Sequence, residues 1–207
     1  CPPPGPPTGA WSCPTPPGPR AAGGPPGGAR GGEDGELFLE HRESEAISLE
    51  DGRIRSASFD ATRGFGLRSV AGEAAGYAHA AELSEAALAR AASTVKAVAA
   101  GHSGTLDVGP RATNAQLYSE LNPLSAMAFS AKTALLAEID AFARARDPRV
   151  KQVMASITGE WQAVQILRAD GRRVADLRPL VRFSVSVVVE ANGRRETGTF
   201  GTGGRFA

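Results

Sequence analysis

Metal-bound water, an activated nucleophile and a phosphate cradle each need particular residue types at fixed spacing. The 207-residue chain offers little of this. Its three histidines are His41, His79 and His102. None belongs to an H-E-x-x-H helix, in which two imidazoles one turn apart grip a zinc ion. His41 ends a predicted strand and is followed by Glu43 and Glu45; His79 closes another strand; His102 sits among glycines. All three read as surface or structural histidines. Cys1 and Cys13 lie in a proline-rich start with no scaffold to activate a thiolate, and a bridge between them would enclose no core. No G-x-S-x-G elbow occurs. The carboxylate pairs Glu43/Glu45 and Glu50/Asp51 fall on strand or turn positions and read as solvated. The run Gly198-Thr-Phe-Gly-Thr-Gly-Gly204 lacks the lysine and hydroxyl of a P-loop, so it reads as a flexible junction. Trp161 and Phe183 read as core. No catalytic, cofactor-binding or metal-ligating residue is assigned.

The elements around these residues are better defined. Short strands are expected at Glu36–His41 and Ser44–Glu50, joined by an Asp51-Gly52 hairpin turn to Arg53–Phe59. In that last strand Ile54 is out of phase with Ala57 and Phe59, which places a bulge near Ser56. Gly64–Val70 puts Phe65 and Leu67 on one face and Gly64 and Gly66 on the other, where a neighbour could approach the backbone closely. Ala74–Ala80 follows. A helix over Glu85–Ala99 carries the stripe Leu88, Ala91, Ala92, Val95 and Val98, with Ser84 as N-cap and Leu83/Leu88 as a hydrophobic staple. A second helix is expected from Asn122 as cap and Pro123 as first residue to about Arg146, burying Leu124, Ala128, Ala131, Leu135, Ile139 and Phe142. Strands Val150–Thr158, Glu160–Arg168, Leu180–Glu190 and Arg194–Phe200 complete the chain, with turns at Asp170-Gly171 and Asn192-Gly193. The short connections imply mostly antiparallel pairing, hence an α+β fold: a twisted sheet with two helices on one face.

Residues 1–35 hold 11 of the 15 prolines and 10 of the 25 glycines. Such a stretch cannot offset its ordering entropy by burial and is expected to be disordered. It reads as a PxxP ligand, a linker, or translation of GC-rich DNA outside the true reading frame, the last being favoured. The net charge of +1 gives no field that would single out nucleic acid or a membrane surface as partner. No apolar run is long enough to span a bilayer and no secretory signal is evident, so a cytoplasmic location is expected.

Several stretches, in order, resemble the amino-terminal domain of TldD/PmbA proteins, once called modulators of DNA gyrase. They are Glu36-Leu-Phe-Leu-Glu-His-Arg-Glu-Ser-Glu, Leu49-Glu-Asp-Gly-Arg-Ile-Arg-Ser-Ala-Ser-Phe-Asp, Gly64-Phe-Gly-Leu-Arg and Ala71-Gly-Glu-Ala-Ala-Gly-Tyr-Ala. Later matches are Asp140-Ala-Phe-Ala-Arg-Ala-Arg-Asp-Pro-Arg-Val, Ile166-Leu-Arg-Ala-Asp-Gly, Asp176-Leu-Arg-Pro-Leu-Val-Arg and Arg194-Arg-Glu-Thr-Gly. The resemblance covers about residues 36–207.

The resemblance implies a zinc-dependent peptidase acting on peptides or unfolded segments, paired with a PmbA-type (TldE) paralogue that lacks the metal. In such proteins zinc is held by an H-E-x-x-x-H helix and a later cysteine of the carboxy-terminal domain, with the glutamate as base for the bound water. No position here corresponds to these. The expectation is therefore a domain truncated before the zinc site, inactive alone, that helps enclose a substrate chamber and contacts the partner subunit. A free-standing module that binds a peptide strand along a sheet edge is the alternative.

Overall fold

Asp51 and Gly52 both adopt positive φ, 49° and 73°, the backbone a two-residue turn needs to match strand twist. Asn192 and Gly193 do the same at 52° and 75°. These turns belong to a computed structural model that describes residues 34–99 and 117–205. Most of the proline-rich start, both cysteines and His102 with its glycines lie outside the described residues.

Six strands form one antiparallel sheet: β1 (Asp34–Glu50), β2 (Arg53–Ala71), β3 (Ala74–Ala80), β4 (Val150–Arg168), β5 (Arg173–Ala191) and β6 (Arg194–Gly204). Their order is β3-β2-β1-β4-β5-β6. The helices are α1 (Glu85–Ala99) and α2 (Phe129–Arg146). The α+β architecture agrees with the sequence, but the strands are longer than expected. The predicted breaks at 42–43, 60–63 and 159 do not occur. β1 runs on because it pairs with β2 on one side and β4 on the other, and its polar centre finds partners: Arg42 with Glu160, and Glu40 with Gln162. The bulge falls where phase demanded it, with Ser48 opposite Ser56 but Leu49 opposite Ile54, leaving Arg55 extra. Tyr77 lies so close over Gly66 that a Cβ there would meet its Oη at 2.8 Å.

β1–β3 and β4–β6 are two antiparallel meanders that meet through their first strands, so a rotation about the sheet normal between β1 and β4 interchanges them. The cores obey this relation. On the inner face, which carries both helices, Leu37, Leu39, Phe65, Leu67 and Leu167 pack beneath α1 with Ala87, Leu88 and Ala91. Their counterparts Ala155, Ile157, Phe183, Val185 and Leu49 pack with Ile47 beneath Leu136 and Ile139 of α2. Burial of each large side chain contributes about 1.5–3 kcal/mol.

Helix α1 keeps its expected bounds. The Ser84 Oγ accepts from Ala87 N at 3.1 Å and its carbonyl from Leu88 N at 3.0 Å. Leu88 packs into the core while Leu83 stays exposed. Helix α2 differs. It starts at Phe129, seven residues after the expected cap, behind Ala128, which makes no side-chain cap bond. Asn122 spends its capping chemistry on a local turn: its Oδ1 accepts from Leu124 N at 2.9 Å and its carbonyl from Ser125 N at 3.2 Å. The buried face of α2 is also turned. Lys132, Leu136 and Asp140 point to the sheet, while Leu135 and Phe142 of the expected stripe are exposed. After α2, Asp147 accepts from the Arg149 guanidinium and backbone N–H, which hold its carboxyl down at about 2.

The glycine-rich end is not a junction within the described residues. It extends β6 to Gly204, paired with β5 throughout. A Cβ on Gly203 would meet the Val181 carbonyl at 2.5 Å, so glycine is what lets this strand lie so close.

Candidate functional site

Between the two cores, the inner face of β1 carries His41, Glu43 and Glu45 in the place of apolar residues. The two carboxylates are not solvated as their sequence suggested. His41 Nε2 and Glu43 Oε1 are 3.1 Å apart, and the second Glu43 oxygen accepts from Asn122 Nδ2 at 2.7 Å. Trp161, opposite Glu43 on β4, meets the His41 ring edge-on with centroids 6.0 Å apart. Phe183 is core, as expected, but Trp161 belongs to this polar belt; its Nε1 is buried without a partner. Glu45 pairs with Lys132, whose ammonium also donates to the Leu124 carbonyl at 2.6 Å.

Together these contacts strap residues 122–124 across the sheet. Asn122 is tied to Glu43 and Leu124 to Lys132, and Pro123 is buried. Leu124 then rests on Gly159, where a Cβ would fall 2.4 Å from its Cδ2. Gly159→Ala asks only the far end of the flexible Leu124 side chain to shift, so its cost should stay within about 1 kcal/mol. Urea titration of the variant checks this; a loss above about 2 kcal/mol would mean that the strap itself is displaced.

The opposite, outer face of the sheet carries an open hollow of about 500 Å³, lined among others by Ser48, Glu50, Arg55, Ser156, Arg182 and Ser184. Several of its polar groups are already paired: Ser48 with Ser56 at 2.6 Å, Ser156 with Ser184 at 2.8 Å and Arg55 with Glu50 at 2.8 Å.

His79 stacks on Tyr77 with centroids 5.7 Å apart, on the outer face of β3 and away from His41. Asp51 accepts from Val153 N and from Arg144, closing the first hairpin against β4 and α2. Among the described residues, no group of three or more His, Cys, Asp or Glu converges as a metal would require. His41 and Glu43 come nearest, but they are two groups, not the three protein ligands a catalytic zinc takes, and are engaged with each other and with Asn122. They do not fit the ion. No described helix is long and apolar enough to cross a membrane.

Two regions match known family descriptions: residues 35–99 match the PmbA/TldA metallopeptidase domain 1, and residues 122–207 match the PmbA/TldA metallopeptidase central domain. The chain belongs to the TldD/PmbA family. A metalloprotease TldD homologue of Haemophilus influenzae is 42% identical over 175 residues, 83% of this chain and 36% of that protein. The homologue from Buchnera aphidicola subsp. Schizaphis graminum is 35% identical, again over 83% of this chain and 36% of its own length. The TldD/PmbA chain thus spans about a third of these relatives. Its fold is shared with a Thermotoga maritima protein described as a DNA gyrase modulator, with a TM-score of 0.69, 10% identity, and coverage of 84% of this chain and 40% of that one. It is also shared with TldE from Thermococcus kodakarensis, with a TM-score of 0.62, 14% identity, and coverage of 86% and 41%. The two matched regions of this TldD/PmbA chain supply β1–β3 and β4–β6, and the β1–β4 pairing joins them in one sheet.

Proposed function

We propose that this chain is the non-catalytic amino-terminal part, over residues 36–207, of a cytoplasmic zinc metallopeptidase that cleaves peptides or unfolded segments. In this reading the sheet helps enclose the substrate chamber and contacts a PmbA-type (TldE) subunit, and the zinc ligands come from sequence outside these 207 residues. The observation that carries it is the 42% identity to a metalloprotease TldD homologue across 83% of the chain. The purified chain, dialysed against metal-free buffer, is expected to retain no stoichiometric zinc by elemental analysis and to leave casein-derived peptides uncut. One zinc per chain after dialysis would overturn the reading.

The alternative, a free-standing module that adds a peptide strand, has one observation in its favour. β3 pairs only with Phe65–Ala71, so over residues 53–64 the edge of β2 that faces away from β1 has no described strand beside it.

A further inference from the structure

Among the described residues, the sheet's edges are guarded unequally. β3, at one side, is only seven residues long. β6, at the other, opens with Arg194, Arg195 and Glu196 and carries four glycines, which weaken a strand. The free edge of β2 is different. At its hairpin end the bulge that leaves Arg55 extra breaks the regular ladder. Residues 56–63 are regular strand with no proline, lysine or bulge, and alternate residues direct their backbone N–H and C=O groups away from β1. They are held in place by β1, which is itself held by β4. A row of unmet backbone donors and acceptors has one chemical complement, the backbone of another extended segment.

The side chains along this edge add a pattern to the row. Phe65 faces inward, so Ala57, Phe59, Ala61 and Arg63 share its face, opposite Ile47, Glu45, Glu43 and His41 of β1. Phe59 is 62% exposed and sits between two exposed alanines, with exposed Arg63 beyond. On the other face Ser58, Asp60 and Thr62 alternate with them, also exposed. A strand laid antiparallel along residues 56–63 sets its side chains opposite these in turn. A carboxylate opposite Arg63, a cation opposite Asp60 and an aromatic ring opposite Phe59 each meet their complement. Because the added strand runs the other way, these are its first, fourth and fifth positions.

We propose that the free edge of β2 takes up an extended peptide in antiparallel pairing, with an acidic residue at Arg63, a basic one at Asp60 and an aromatic one at Phe59. The backbone ladder supplies the attachment, and the three side chains supply register and choice of sequence. The inference rests on the strand-addition reading above, to which it adds the edge used and the sequence taken; it does not require the chain to be a peptidase.

The probe is a capped peptide with glutamate, lysine and phenylalanine at those positions among threonines and valines. Its controls are a scrambled peptide of the same composition and two copies N-methylated at alternate amides, one in each phase. Backbone amide shifts of the isotope-labelled 207-residue chain should concentrate on residues 56–63, with the designed peptide bound about fivefold more tightly than the scrambled one. The N-methylated copy whose blocked amides face β2 should lose binding, and the other copy should keep it. Arg63→Glu should weaken the designed peptide and favour one with lysine in place of its glutamate, with far-UV circular dichroism unchanged because Arg63 is exposed. Shifts along β6, equal binding of the scrambled peptide, or no response to the charge exchange would overturn the inference and leave strand addition standing. Equal binding of both N-methylated copies, or no shift along any edge, would overturn strand addition itself.

Discussion

Lys132→Ala is expected to cost about 3–5 kcal/mol of folding stability, the usual consequence of removing one member of a buried ion pair. Lys132 is 5% exposed, and its ammonium is the partner of both the Glu45 carboxylate and the Leu124 carbonyl. Truncation leaves Glu45, itself mostly buried, as an uncompensated charge and frees the strap at Leu124. Lys132→Met combined with Glu45→Leu should recover much of the loss, because two apolar side chains of similar volume need no partner. Recovery should stop short of wild type, since the Leu124 carbonyl still lacks its donor. Urea titrations of the two single variants and the double variant form the cycle that measures this. A Lys132→Ala loss below about 1 kcal/mol would place the pair in solvent, in the range of exposed salt bridges.

The same belt explains which parts of the structure were legible in the sequence. Strand faces set by alternation were readable: Phe65 and Leu67 both face inward, and the phase slip after Asp51-Gly52 located the bulge. So was α1, whose cap and stripe lie within its own sixteen residues. Glu43 and Glu45 were misread as solvated because their partners are remote. Asn122 is 79 residues from Glu43, and Lys132 is 87 from Glu45. No periodicity reports a contact at such separation. The strand lengths were missed for a related reason, since polar residues at 42–43 and 60–63 break a pattern without breaking a ladder that neighbouring strands hold. Nothing in the composition of β4 singled out Gly159, whose missing side chain is what admits Leu124.

Leu136→Ala against Phe142→Ala decides between the two possible faces of α2. A buried alanine stripe is a weak guide to orientation, because alanine is small enough to be accommodated on either side of a helix. The sequence stripe through Leu135, Ile139 and Phe142 would make Phe142 the costly position. In the structure Leu136 is 0% exposed against Ile47, Leu49 and Ala155, while Phe142 is 70% exposed. Leu136→Ala should therefore cost about 2–5 kcal/mol, as for other leucines that leave a cavity in a packed core. Phe142→Ala should stay within about 0.5 kcal/mol. Thermal unfolding of the two variants, read against wild type, measures both losses. Equal losses at Leu136 and Phe142 in dilute solution would mean that α2 packs with the stripe its periodicity suggested, and that the Lys132–Glu45 contact is not what orients it.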